Sequence, residues 1–128
     1  MKILILIASL FFNGCNNTPK KEPFSQDKRI EELIIGWKND SLGCSNFRNK
    51  QVSEEIIKKL DLENCNESDF VKAFGVPNKT NLHNKNKILC YYFNSMCIGS
   101  QVVKDSDYCI VEFIFKEGKL IKRNYICI

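Results

Sequence analysis

His83 is the only histidine among 128 residues, so any imidazole-dependent mechanism has one residue to draw on. A Ser-His-Asp or Cys-His arrangement also needs a partner that orients the ring. Around His83 the chain offers Asn78, Asn81, Asn84, Asn86, Lys79, Lys85 and Lys87, the composition of a solvated loop. Glycine is sparse and scattered: six residues with no Gly-x-Gly, which removes the phosphate-cradling loops. No Cys-x-x-Cys occurs, which argues against a thioredoxin-type redox pair and a zinc ribbon, and no metal or other cofactor is expected. The carboxylate pairs Glu31-Glu32 and Glu54-Glu55 fall on outer helix faces, where charge is ordinary. A strong charge of one sign is missing as well. Nineteen Lys and Arg against 15 Asp and Glu give +4, and nothing in the pattern asks for nucleic acid. Wholesale disorder is excluded by an apolar share of 44%. The length supports one domain. The expectation is a chain that is not an enzyme.

Long apolar runs are also few. Ile3 to Phe12 is apolar except for Ser9, and Lys2 precedes it. A spanning helix needs about twenty such residues, so this stretch fits the h-region of a secretory signal peptide. Next comes Phe12-Asn13-Gly14-Cys15, which resembles the lipobox of bacterial lipoproteins. That resemblance implies cleavage before Cys15 and lipidation of its side chain and new amino terminus. Each buried acyl methylene contributes about 0.8 kcal/mol, so several chains on one cysteine make a lasting anchor. Residues 16–26 are polar with two prolines, Pro19 and Pro23, the composition of a tether. The expected organisation is therefore a signal peptide over 1–14, a lipidated cysteine and tether over 15–26, and a single α+β domain over 27–128. The expected location is the cell envelope, on the outer membrane facing the periplasm.

Export decides how the other cysteines are read. Cys44, Cys65, Cys90, Cys97, Cys109 and Cys127 make an even set, which in an oxidising compartment favours disulfides. Six cysteines allow fifteen pairings, and spacing does not choose among them.

Ile30, Leu33, Ile34 and Trp37 recur at helical spacing after Ser25 or Asp27, either of which can open a helix. A second helix is predicted over 53–60, with Ser53 as its cap. A third runs from Glu67 to Phe74, opened by Asn66 and stopped by Gly75 and Pro77. Residues 78–87 read as a polar loop. After it Ile88-Leu89-Cys90-Tyr91-Tyr92-Phe93 has the composition of a strand, and residues 94–107 form a long connection. Two more β-rich runs, 108–115 and 120–128, flank Glu117-Gly118 and read as a hairpin. A two-residue loop pairs Phe115 with Leu120 and sends Cys109 and Cys127 to opposite faces. A three-residue loop with a glycine bulge sets those cysteines opposite each other. A one-residue shift inverts every side chain, and both registers remain open here.

Trp37, Asp40, Gly43, Cys44 and Arg48 cluster in sequence. They are read either as a binding site or as a core tryptophan, a turn glycine and an arginine lying over an aromatic or paired with an acid. A three-stranded sheet leaves two edges and a face that helices need not cover. Aromatic and cationic side chains on such a face make a protein-binding patch. Trp37, Arg48, Tyr91, Arg123 and Tyr125 are the candidate residues.

The segment Asp69-Phe70-Val71-Lys72-Ala73-Phe74-Gly75-Val76-Pro77, then Tyr91-Tyr92-Phe93, then Val111-Glu112-Phe113 and the Gly118 hairpin, is similar to the SmpA/OmlA (BamE-like) lipoprotein domain. The likeness covers roughly residues 67–125. It implies two helices against a three-stranded antiparallel sheet ending in a C-terminal hairpin. It also implies a habit of working as an assembly accessory, but carries over no partner. The anchor and the tether lead to the expectation of a non-enzymatic module that binds an envelope protein and reaches the membrane through its lipid. The alternative is an inhibitor or immunity-type protein that blocks a hydrolase or toxin by inserting a loop such as 94–107.

Overall fold

The computed structural model describes residues 24–103 and 107–128. The expected signal peptide over 1–14, Cys15 and the tether up to residue 23 lie outside the described residues. Helix α1, Phe24–Asn39, begins a few residues earlier than predicted and takes in the end of the expected tether. Its apolar stripe turns Ile34 and Trp37 fully inward, with Ile30 and Leu33 at the margin. Helix α2, Lys50–Lys59, also starts early, because the Asn49 side chain accepts from the Val52 N–H at 2.8 Å and caps it. Ser53, the predicted cap, is instead buried inside the helix. After a 3-10 turn at Leu62–Asn64, helix α3 spans Glu67–Phe74. Asn66 accepts from the Asp69 N–H at 2.9 Å to open it, and Gly75 closes it.

The expected three-stranded sheet has four strands, with a separate two-stranded ribbon beside it. The main strands are β1 (Lys79–His83), β2 (Asn86–Phe93), β5 (Cys109–Lys116) and β6 (Lys119–Cys127). They are all antiparallel, in the order β1-β2-β5-β6. The ribbon pairs β3 (Cys97–Ile98) with β4 (Gln101–Val102), inside the stretch expected as a connection. Strand β1 corrects the reading of 78–87 as a loop. All five of its residues are exposed, so it carries no apolar alternation for a sequence to display. Its turn uses Asn84 (φ 50°) and Lys85 (φ 67°), where two left-handed residues make the tight hairpin.

The C-terminal hairpin combines the two predicted registers. Its loop is the two-residue Glu117-Gly118, both at positive φ (51° and 78°), and Phe115 pairs with Leu120. The register then shifts, so that Ile114 faces Lys122 and Ile121 is the extra residue of a β-bulge. Beyond it Cys109 lies opposite Cys127 and the two are joined, with Cα atoms 4.1 Å apart. The Ile128 N–H donates to the Tyr108 carbonyl at 3.0 Å, which makes 109/127 a non-hydrogen-bonded pair, where facing Cα atoms come closest.

All three helices lie on one face of the sheet. The core between them stacks Phe70 on Phe74 (centroids 4.4 Å apart) and sets Phe113 and Phe115 edge-on to Phe70 at 4.7 and 5.1 Å. Trp37 and Tyr91 complete the cluster, both with no exposed surface. A second disulfide, Cys44–Cys97, ties the turn after α1 to β3. That turn depends on Gly43, at φ 73°: a Cβ there would sit 2.6 Å from the Phe93 Cα.

Candidate functional site

The register divides the five candidate surface residues in a way the sequence did not reveal. Trp37, Arg48 and Tyr91 are buried (0, 2 and 0% exposed) and offer no surface to a partner. Strand alternation puts Tyr91 in line with Leu89 and Phe93, under the helices. The Arg48 guanidinium lies between them, 5.0 Å from the Trp37 ring centre and 5.7 Å from that of Tyr91. Its Nε donates to the Trp37 carbonyl at 2.7 Å. Its Nη1 donates to Ser41 O (3.1 Å), Asn78 Oδ1 (3.2 Å) and Tyr92 O (3.3 Å). Burial pulls its pKa down to about 10, so it stays protonated at neutral pH. Asp40 accepts the backbone N–H groups of Ser45 and Arg48 at 2.9 Å each. This cluster binds the end of α1 to the sheet.

Arg123 and Tyr125 also lie on the helix side, at its rim. The bulge at Ile121 sets their direction, and both meet Glu54 of α2. Arg123 grips both Glu54 oxygens at 2.7 Å and reaches Glu63 at 2.7 Å with its remaining Nη. Tyr125 Oη donates to Glu54 at 2.8 Å and lies 2.9 Å from Ser53 Oγ. Burial pushes the Glu54 carboxyl up, but the bonds from Arg123 and Tyr125 outweigh it and hold the pKa below the usual range. Burial raises the Tyr125 pKa.

The other face of the sheet carries no described helix. Alternation brings there Ile88, Cys90 and Tyr92 from β2 and Ile110, Glu112 and Ile114 from β5. From β6 come Lys122, Asn124 and Ile126, and from β1 Lys79 and Asn81. Ile88 faces Ile114 directly, and Ile110 lies between Tyr92 and Ile126. Between these apolar rows runs a polar one, in which Lys79 faces Cys90, Cys90 faces Glu112 and Glu112 faces Asn124. Ile88, Tyr92, Ile110 and Ile114 are each half-buried by their neighbours. Tyr92 stacks edge-on against Tyr108 at 5.9 Å, and Lys79 Nζ sits 5.8 Å from its ring centre. Sequence reading missed this set because Ile110 to Phe115 is apolar on both faces except at Glu112. Neither side announces itself as the outer one.

Cys90, counted among the candidate disulfide cysteines, is a buried free thiol in the middle of this face, and burial raises its pKa. The geometry explains why it is unpaired: its cross-strand neighbours are Lys79 and Glu112. Cys65 is buried beside the 3-10 turn. His83 is exposed at the tip of β1, its Nε2 3.2 Å from the Asn84 amide nitrogen. No group of three or more metal-ligating side chains occurs among the described residues. No described helix is long and apolar enough to cross a membrane. Comparison with protein-family models, curated proteins and solved structures returns no match to this chain.

Proposed function

We propose that this protein is a lipid-anchored envelope protein whose domain works by binding another envelope protein and performs no chemistry. One observation carries the reading. The charged clusters best able to do chemistry, around Arg48 and around Glu54, are closed on themselves by short internal bonds, while one sheet face keeps apolar and polar groups exposed beyond the fold. The lipobox-like Phe12-Asn13-Gly14-Cys15 and the polar segment after it support the anchor. A tether of that composition keeps the domain within reach of the membrane and raises the local concentration of partners there. The SmpA/OmlA-type likeness supports an accessory role in assembly.

The experiment is growth with labelled palmitate, followed by membrane fractionation and in-envelope chemical cross-linking. The expected result is a labelled, membrane-bound wild type, an unlabelled Cys15→Ser variant released from the membrane, and a reproducible wild-type adduct with another envelope protein. An unlabelled, soluble wild type overturns the anchor. A membrane-bound wild type that yields no protein adduct overturns the binding role.

A second reading, an inhibitor of a hydrolase or toxin, has one observation in its favour. The β3–β4 ribbon is pinned by Cys44–Cys97 and presents Met96 and Ile98 at 56 and 79% exposure. Inhibition of an envelope hydrolase that disappears in Ile98→Asp would favour it over the first.

A further inference from the structure

The sheet face that carries no described helix has a charge pattern as well as an apolar one. Among the described residues its charged groups are Lys79 on edge strand β1, the facing pair Lys116 and Lys119 at the hairpin end, Lys122 on edge strand β6 and Glu112 near the centre. Lys119 turns its Nζ to the Asn64 carbonyl at 3.3 Å, which leaves three cations against one carboxylate. The cations stand at the border, outside the rows formed by Ile88 and Ile114 and by Tyr92, Ile110 and Ile126. We propose that this face docks on a protein surface whose apolar side chains are bordered by carboxylates, with one hydrogen-bond donor opposite Glu112. The inference rests on the protein-binding reading above and specifies the partner's chemistry.

Three features support that occupant. Partners with a complementary charge border are steered into place, whereas like charges across an interface are costly. A second copy of this chain would bring its own lysine border against Lys79 and Lys122, so face-to-face pairing of two copies is opposed. A membrane surface fits less well. Interfacial segments push bulky apolar tips between headgroups, whereas Ile88, Ile110 and Ile114 are half-buried among their neighbours. Glu112 would also be driven toward anionic lipid. A protein surface suits a flat face with a central carboxylate, because it can supply both the close packing and the matching donor.

The test places a photo-activated cross-linking residue at position 114 on this face, and separately at position 35 on the helix layer. The full-length chain is used in its native envelope, and Ile35 is 58% exposed. The expected result is one discrete protein adduct from position 114, with the linked partner peptide lying among Asp or Glu residues. The yield should fall about tenfold in Lys79→Glu/Lys122→Glu, partly in Lys79→Gln/Lys122→Gln, and not at all in Lys58→Glu/Lys59→Glu on α2. Urea unfolding of each variant verifies that the fold is kept. The inference is overturned by an adduct to lipid, by an adduct to a second copy, by a partner peptide without acidic residues, or by a yield indifferent to the lysine reversals. A protein adduct from position 35 alone overturns it while leaving the protein-binding reading standing. Protein adducts from neither position remove both.

Discussion

Arg48 joins parts of the chain as far as 44 residues apart, bonding Trp37, Ser41, Asn78 and Tyr92 through one planar fork. Removing it takes the side-chain donor from the buried Trp37 carbonyl and the part-buried Tyr92 carbonyl, and leaves Asp40 without its cation. Arg48→Met is therefore expected to lose about 3–5 kcal/mol in urea unfolding. Arg48→Lys should recover only part of that, since a lysine lacks the fork. Glu54 makes a pH prediction with a definite sign. Its pKa in the folded protein is depressed, so its contribution is fully present above the unfolded carboxylate pKa of about 4.3 and is lost as pH falls through the lower folded value. Glu54→Gln should cost about 1 kcal/mol at pH 7, a figure discounted for the partial exposure of the pair, and less at pH 2. Unfolding midpoints at the two pH values check it. Asp40, depressed in the same direction, keeps some acid sensitivity in that variant. At this scale the sequence was partly legible. The closeness of Trp37, Asp40 and Arg48 along the chain flagged a cluster, but their burial depends on strands dozens of residues away.

Among the elements, helices were easier to read than strands. Asn66, Gly75 and Pro77 mark both ends of α3 through local backbone chemistry. Helix α2 moved by three residues because Asn49 caps as well as Ser53 does, and tertiary contact with Tyr125 claimed the serine. Strand β1 was invisible because an exposed edge strand needs no alternation. The bulge at Ile121 was invisible for another reason: it is stabilised by where β6 must arrive, at Glu54 and at Cys109, and its turn residues give no sign of it. Because Ile121 is the inserted residue, deleting it should leave Ile114 facing Lys122 and keep the Cys109–Cys127 bridge. Deleting Asn124 instead displaces Cys127 by one place and should free both thiols. Alkylation without reduction, followed by peptide mapping, separates the two outcomes.

For the molecule as a whole, the two disulfides that join described residues brace the ribbon and the last residues of β6. Chain entropy assigns roughly 4 kcal/mol to the Cys44–Cys97 loop of 53 residues and roughly 3 to the Cys109–Cys127 loop of 18. Cys44→Ser/Cys97→Ser should therefore lower the urea midpoint more than Cys109→Ser/Cys127→Ser, and reduction of the wild type should exceed either. Composition, periodicity and capping residues alone determined an α+β domain, its helices and the C-terminal hairpin, because those features follow from backbone chemistry within a few residues. The expectation of disulfides came instead from the even cysteine count and the reading of export. Which face each strand turns inward, which cysteines meet and which side of the sheet the described helices cover were decided only in the folded chain. A strand has a period of two, so one inserted residue, placed by distant contacts, reverses everything beyond it.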